Sequence, residues 1–290
     1  MENRKSFFPA ILLTAALSIH TAPAQTAKSA PPAKAPESLR LYVFDCGTLD
    51  IPDTSNYQLK VEQLATKNMS VACFLIAHPK GTMMWDSGAV PDRNFKPGGG
   101  PATLRYATAT RPLEAELAEV GYRPSDITYL TQSHFHWDHI GNSNLFAGST
   151  WLVRQAELDI MFSNPPSPRT EPSNFSALKN SKTVIVTKDE YDVFGDGSVI
   201  MKAAPGHSPA HQVLFLKLKK TGPVVLGGDL YHYPEERKLG KVPVNEFNAQ
   251  QSAASRVEIE AFLKKTGAQL WIQHDLTANR KLKKAPAFYE

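Results

Sequence analysis

Apolar residues along the chain fall into short runs that are separated by turn residues. Examples are VACFLIAH at 71–78 and HQVLFLKL at 211–218, which are rich in branched and aromatic side chains. Runs of this length and composition are typical of buried strands. Apolar positions at helical spacing, followed by a glycine, predict helices over 113–122 and 255–267. Many strands with interleaved helices predict one sandwich-like α/β domain.

The same pattern predicts further strands along the chain. They are LRLYVFDCG, GTMMWDSG, DITYLTQS, TWLVRQ, KTVIVT, SVIMKAA, PVVLGGD and QLWIQHD. The segment AELDIMF is predicted as a short helix. Two stretches show no apolar period. Residues 91–112 are rich in Gly and Pro, and residues 163–181 are polar and rich in Pro. We expect the first to be a long ordered loop or lid, and the second a polar loop.

The N-terminus has the organisation of an export signal. Arg4 and Lys5 precede an apolar stretch at 6–19, and Ala22 and Ala24 form an A-x-A cleavage signal. The apolar stretch is too short to span a bilayer comfortably, so we interpret residues 1–24 as a signal peptide. The Ala/Pro/Lys-rich residues 25–37 are predicted to be a disordered linker, and 38–290 the folded domain. The mature protein is then periplasmic or secreted, without a membrane anchor.

Composition narrows the remaining possibilities. The 290 residues are 42% hydrophobic and 21% charged, with a formal net charge of +4. The basic residues are scattered rather than concentrated on one face with aromatic residues, which argues against a nucleic-acid partner. The cysteines are Cys46 and Cys73, without a CxxC motif. They form either one disulfide, which export would permit, or two buried thiols.

A histidine cluster follows one predicted strand, in SHFHWDHIGN at 133–142. His134 and His136 are two positions apart in extended backbone, so their side chains point to one side and can bind one divalent ion. Asp138 and His139 follow in a turn and point elsewhere, towards a second ion. Imidazole and carboxylate ligands suit zinc and other first-row metals.

Three more metal-capable side chains follow apolar strands. They are His207 in APGHSPAHQ, Asp229 in VVLGGDLYH and His274 in LWIQHD. Strand ends hold side chains rigidly while leaving them open to substrate. We therefore predict that these three residues converge with the histidine cluster on a site for two divalent ions, with zinc as the first expectation.

These motifs resemble those of the metallo-β-lactamase superfamily. SHFHWDH matches its HxHxDH signature, and PGH, GGD and a terminal QHD match its later metal positions in order. WDSG at 85–88 resembles its early Asp-x-Gly motif, and the resemblance runs from about residue 40 to the end of the chain. It implies an αββα sandwich with a dinuclear metal site at one edge of the sheets.

The resemblance also implies a role for each ligand. His134, His136 and His207 would hold one ion, Asp138, His139 and His274 the other, and Asp229 would bridge both. Asp86 would orient a metal-bound imidazole through its second nitrogen, although it could equally cap the turn at Ser87–Gly88.

Within that superfamily the flanking sequences resemble the N-acyl homoserine lactonases. The implied reaction is hydrolysis of the lactone ring of an N-acyl homoserine lactone by a metal-bridging hydroxide, with Asp138 steering the hydroxide or its proton. Many such enzymes carry a tyrosine three residues after the bridging aspartate, which hydrogen-bonds the lactone carbonyl. Here that position is His232, and Tyr231 precedes it. Either residue could donate, or both could pack at the rim.

Other interpretations stay open. The domain could hydrolyse a β-lactam, an ester, a thioester, a sulfate or another lactone, or it could bind metal without activity. Phe135 and Trp137 could line an apolar wall for the acyl chain or belong to the core. A loop around Phe95 and Tyr106 could cover that wall. The resemblance further implies a homodimer whose partner contributes loop residues.

Overall fold

The computed structural model describes residues 1–2 and 35–290, and residues from 35 onward belong to one compact unit. The predicted signal peptide at 1–24 lies outside the described residues except for 1–2, and the predicted linker at 25–37 lies outside them except for 35–37. None of the helices that the structure describes combines the length and apolar character needed to cross a bilayer.

Two sheets form the centre of the domain. The nine strands of the first are β1 (Arg40–Leu49), β2 (Met69–His78), β3 (Gly81–Trp85), β4 (Ala102–Leu104), β5 (Ala107–Ala109), β6 (Tyr129–Thr131), β7 (Thr150–Val153), β8 (Thr183–Ile185) and β14 (Phe288–Tyr289). Their order is β4-β5-β1-β2-β3-β6-β7-β8, and β14 pairs with β1. The five strands of the second are β9 (Glu190–Asp192), β10 (Val199–Ala203), β11 (Gln212–Leu218), β12 (Gly222–Leu226) and β13 (Gln269–Trp271), in the order β13-β12-β11-β10-β9.

Helices lie against the outer faces of the two sheets. Their bounds are α1 (Leu113–Glu119), α2 (Gln155–Met161), α3 (Pro234–Leu239), α4 (Ala249–Thr266) and α5 (Leu276–Asn279). Leu117 of α1 and Met161 of α2 belong to the core on the outer face of the first sheet. Ile259 and Leu263 of α4 pack in a separate core with Val213 of β11 on the outer face of the second.

The alternation along β2 shows why the fold has layers. Phe74 and Ile76 point into the core between the sheets, whereas Cys73 and Leu75 point into the outer core. Successive side chains of a strand face opposite sides, so a strand that is apolar at every position must be covered on both faces. The layers are therefore helix, sheet, sheet and helix, which confirms the expected αββα sandwich.

The segment 91–112 differs from the loop that was predicted. It contains β4 and β5, which form a hairpin that extends the first sheet beside β1. The strands are short, with three residues each, and the surrounding Gly and Pro residues conceal their pattern.

Helix α4 begins at Ala249, before the predicted start at 255. Its first turn lacks apolar residues at helical spacing, and the start is defined instead by Asn248, whose side chain accepts from the amides of Gln250 and Gln251. Strand β6 is shorter than the predicted DITYLTQS.

Cys46 and Cys73 form a disulfide between β1 and β2, which decides between the two alternatives left by the sequence.

Candidate metal centre

The candidate ligands lie where strands end. His134 and His136 follow β6, His207 follows β10, Asp229 follows β12, and His274 follows β13. All are buried, as are Asp138 and His139 in the turn after β6. The two sheets thus contribute from adjacent edges, and side chains distant in sequence meet in one place.

The first group contains His134, His136, His207 and Asp229. Nδ1 of His136 lies 2.7 Å from Nε2 of His134 and 2.9 Å from Nε2 of His207. Oδ2 of Asp229 lies 3.2 Å from Nε2 of His207 and 3.6 Å from Nε2 of His134. Three imidazole nitrogens and one carboxylate oxygen therefore face a common point.

The second group contains Asp138, His139 and His274. Nε2 of His139 and Nε2 of His274 each lie 3.1 Å from Oδ1 of Asp229. Oδ2 of Asp138 lies 3.8 Å from the same atom of His139 and 3.7 Å from that of His274. Asp229 consequently presents one oxygen to each group, as a bridging ligand would.

The donors fit a pair of divalent cations. Nε2 of His139 and Oδ1 of Asp229 are buried without a hydrogen-bond partner, which is costly unless a ligand satisfies them. Burial, followed by the neighbouring His139, holds the pKa of His134 well below its ordinary value. Burial, followed by His207, does the same for the pKa of His136. At these two positions the neutral imidazole is favoured, and it has the free lone pair that a metal requires.

The outer nitrogens of three candidate ligands face hydrogen-bond acceptors. Nδ1 of His139 lies 2.9 Å from Oδ2 of Asp86, and the other oxygen of that carboxylate accepts from the amide of Ser133 at 2.6 Å. Nδ1 of His207 lies 3.2 Å from Oε1 of Glu246. Nδ1 of His274 lies 2.8 Å from the carbonyl of Ser70. Such partners fix the ring orientation and the tautomer of a ligand.

Residues 67–266 match the family model of the metallo-beta-lactamase superfamily. The chain belongs to the metallo-beta-lactamase superfamily. It is 28% identical to the N-acyl homoserine lactonase AttM of Azorhizobium caulinodans, over 87% of this chain and 99% of that protein. It is 27% identical to an N-acyl homoserine lactonase of Bacillus cereus, over 76% and 87% of the two chains.

Solved structures show the same superfamily fold. The crystal structure of a quorum-quenching N-acyl homoserine lactone lactonase superimposes with a TM-score of 0.72 at 22% identity, covering 86% of this chain and 97% of that one. AidC, described as a dizinc quorum-quenching lactonase, superimposes with a TM-score of 0.60 at 17% identity, covering 87% and 94%.

His232 and Tyr231 follow Asp229, the aspartate that faces both ligand groups, and their side chains point in different directions. Nε2 of His232 lies 3.3 Å from Oδ2 of Asp229, and Nδ1 lies 3.3 Å from Oε1 of Glu236. Tyr231 points away: its hydroxyl donates to Glu260 at 3.2 Å, and it packs in the core beneath α4. His232 therefore borders the metal centre, and Tyr231 does not.

Aromatic side chains form part of the surroundings of the site. The ring of Tyr106, which is 45% exposed, packs edge to face on that of Trp137, with the ring centroids 5.2 Å apart. Phe135 and Trp137 are buried in the outer core of the first sheet, against which Phe95 also packs. The sequence did not single out Tyr57, whose ring lies 4.9 Å from that of His232.

The other histidines have structural partners among the described residues. Nε2 of His78 lies 2.9 Å from Asp196, and its ring stacks on Phe194, so its partners are not residues of the metal centre.

Sequence reasoning missed Glu157, Arg169 and Glu246, whose positions carry no motif. Only their contacts with the ligand-bearing loops reveal them.

Proposed function

We propose that this protein is a metal-dependent hydrolase that opens the lactone ring of N-acyl homoserine lactones. The observation that carries the proposal is the position of Asp229, with one carboxylate oxygen towards each group of candidate ligands. The relatives at 28% and 27% identity that are named N-acyl homoserine lactonases support the substrate class.

Two divalent ions, with zinc the first candidate, would be held by the two groups of side chains. Bound there, they would polarise the lactone carbonyl and lower the pKa of a water between them, so that it attacks at neutral pH. Asp138 is close to both histidines of the second group and is assigned to orient that water and to take up its proton.

His232 is assigned as the hydrogen-bond donor to the lactone carbonyl oxygen. Its Nε2 borders Asp229, and Glu236 faces the opposite ring nitrogen. Glu236 is itself held by Arg256, whose Nη2 donates to it at 2.8 Å, so a fixed carboxylate lies behind the imidazole. A preorganised donor of this kind stabilises the negative charge that develops on the carbonyl oxygen.

The reaction balances without a covalent protein intermediate. The oxygen of water bonds to the carbonyl carbon, the ester C–O bond of the ring breaks, the released alkoxide takes up the proton held by Asp138, and the new carboxyl group releases the second proton of water to solvent. The product carries a carboxylate and a hydroxyl group. Tyr106, which is partly exposed and packs on the buried ring of Trp137, is assigned to supply apolar surface for the substrate.

Export to an oxidising compartment is part of the proposal. The disulfide between Cys46 and Cys73 supports it, because disulfides persist in the periplasm and outside the cell and are rare in a reducing cytosol. The signal-peptide pattern at 1–24 supports it independently.

The purified mature protein tests the proposal directly. Lactone opening releases acid, so a pH-indicator assay with N-acyl homoserine lactones of short to long chains should show turnover that a chelator abolishes and added metal restores. Elemental analysis of the same sample identifies the metal. A chromogenic cephalosporin and a simple thioester, assayed alongside, distinguish the alternative substrate classes. The proposal fails if the metal-loaded protein turns over no acyl chain length.

A further inference from the structure

Arg169 lies against the outer nitrogen of a candidate metal ligand. Its Nη1 is 3.2 Å from Nε2 of His136, and its Nη2 donates to the carbonyl of Asn245 at 2.7 Å. The backbone carbonyl of Arg169 accepts from the amide of Trp137 at 2.9 Å. The segment that carries the guanidinium is therefore attached to the turn that carries the first ligands.

This contact pairs two hydrogen-bond donors. Nδ1 of His136 faces the other ligands of the first group, so metal binding there leaves the proton on Nε2. A guanidinium has no acceptor atom. With the metal bound, both groups point N–H bonds at the same space, and neither can accept from the other.

The other candidate ligands show that this arrangement is specific to His136. The outer nitrogens of His139, His207 and His274 face a carboxylate, a carboxylate and a backbone carbonyl, respectively. Only at His136, among the candidate ligands that the structure describes, does the outer nitrogen face a cationic side chain. Arg169 is half-buried and borders a cavity, so these two adjacent donors are open to an oxygen acceptor supplied by a bound molecule.

A cavity provides room for such an acceptor. It has a volume of about 420 Å³ and is bordered by His136, His207 and Arg169 on its polar side. Phe135, Ile160 and Phe247 contribute its apolar lining. This size is within the range of small-molecule sites, and the ligand His136 is part of its wall. Because His136 and His207 both belong to its wall, the cavity adjoins the metal centre.

We propose that Arg169 and the Nε2–H group of His136 bind the amide carbonyl oxygen of an N-acyl homoserine lactone, and that the apolar lining accepts its acyl chain. The inference rests on the proposed function and adds a specificity determinant to it. An amide oxygen is a strong acceptor with two lone pairs, so it can satisfy both donors at once. A hydrogen bond from a charged donor is about twice as strong as a neutral one.

The consequence is selectivity between lactones that share the same reacting ring. An N-acyl homoserine lactone presents the amide oxygen, whereas an alkyl γ-lactone of matched chain length lacks it. Removing the guanidinium should therefore weaken only the first substrate. A purely structural role of Arg169, or a role in holding the metal, would weaken both alike.

The test compares the metal-loaded protein with Arg169→Met and Arg169→Lys on the two substrates. Arg237→Met is the matched control, because Arg237 pairs with Glu260 on the surface and does not border the cavity. We expect kcat/KM of Arg169→Met to fall roughly 10–100-fold for N-octanoyl homoserine lactone, where each tenfold corresponds to about 1.4 kcal/mol. The alkyl lactone should change by less than about twofold, and Arg169→Lys should lie between, because it keeps one charged donor.

Equilibrium binding supplies a second readout. Calorimetry with ring-opened N-octanoyl homoserine should show weaker binding to Arg169→Met than to the unaltered protein, at equal metal content. Equal losses for both lactones, or no loss for either, would overturn the inference while leaving the proposed function intact. If the unaltered protein opens neither lactone, the proposed function fails, and equal product affinities of the two proteins would then refute the subsite as well.

Discussion

The backbone amide of Asp229 donates a hydrogen bond to Nε2 of His211 at 2.9 Å. Nδ1 of the same ring lies 3.0 Å from the carbonyl of Ala204, so this ring carries its proton on Nδ1. Burial lowers the pKa of His211 to about 4, which keeps the imidazole neutral. His211 is therefore a buried support that holds the backbone of the shared carboxylate in place.

Gly228 should not tolerate a side chain, because the backbone next to Asp229 packs closely against His211. It has a φ of +49°, and an added Cβ would lie 2.6 Å from Cβ of Ser133 and 2.7 Å from Nε2 of His211. Gly228→Ala should lower the free energy of unfolding by about 2–4 kcal/mol and reduce metal content, as measured by urea unfolding and elemental analysis. Gly148→Ala is the control, because its Cβ would meet nothing within 4 Å. Equal stability of the two variants would contradict this account.

Replacing the shared carboxylate should disable both groups of ligands. In Asp229→Asn the neutral amide loses the charge that faces nitrogens of both groups. We expect fewer than two ions per chain by elemental analysis and a rate lower by more than about 100-fold. Asp159→Asn, at an exposed position, should keep full metal content and rate. Two ions retained in Asp229→Asn would show that this residue does not bridge.

Glu157 connects the two loops that carry the ligands of the first group. Its buried carboxylate accepts from the amide of Phe135 at 2.9 Å, and from the Ser208 hydroxyl at 2.6 Å and the Ala210 amide at 2.8 Å. Glu157→Ala leaves these donors without that partner, so we expect a loss of about 3–5 kcal/mol in unfolding free energy. Metal affinity, measured by competition with a chelator, should fall about 10–100-fold.

Glu157→Gln keeps one acceptor oxygen and should lie between the unaltered protein and Glu157→Ala in both measurements. Asp159→Ala changes an exposed carboxylate on the same helix and should alter stability by less than about 0.5 kcal/mol. If metal affinity is unchanged in Glu157→Ala, the carboxylate stabilises the fold without positioning the ligands.

His232 and Tyr231 should differ sharply in their effect on catalysis. His232→Ala should lower kcat by about 10²–10³, the cost of one donor to a developing oxyanion, with a smaller change in KM. Tyr231→Phe should leave kcat within about twofold and cost about 0.5–1.5 kcal/mol of stability, because its hydroxyl donates to Glu260. Steady-state kinetics with an N-acyl homoserine lactone decides, and the reverse ranking would exchange the two assignments.

Reduction of the Cys46–Cys73 disulfide should destabilise the domain. The bond joins residues 27 positions apart, and loss of such a constraint on the unfolded chain costs about 2–4 kcal/mol. Urea unfolding with and without reductant measures the difference. The double variant Cys46→Ala, Cys73→Ala should unfold like the reduced protein and should not respond to reductant. Identical unfolding of oxidised and reduced protein would contradict the expectation.

Local sequence was informative wherever chemistry depends on short spacing. The alternation of His134 and His136 beyond a strand, and polar residues that interrupt apolar runs at Asp229 and His274, identified side chains that the structure brings together. The hairpin of β4 and β5 was missed, because its strands are short and are surrounded by Gly and Pro. A pattern that needs several periods cannot emerge from three residues.

The choice between His232 and Tyr231 could not be made from neighbouring residues. Both follow Asp229, and the backbone conformation after β12 decides which one faces the metal centre. Glu157 and Arg169 also lack a local signal, since their partners Ser208 and His136 are 51 and 33 positions away. Contacts of this kind exist only after the loops have been brought together.

The order of residues along the chain thus specified the layered α/β architecture and the inventory of metal-capable side chains, because strand alternation and ligand spacing are local properties. Folding decided how the ligands divide into two groups about Asp229, which histidines serve as supports, and which donors face the cavity. Those outcomes depend on packing between segments from both sheets, and the free-energy cost of burying polar groups favours arrangements in which supports such as Glu157 and His211 are hydrogen-bonded.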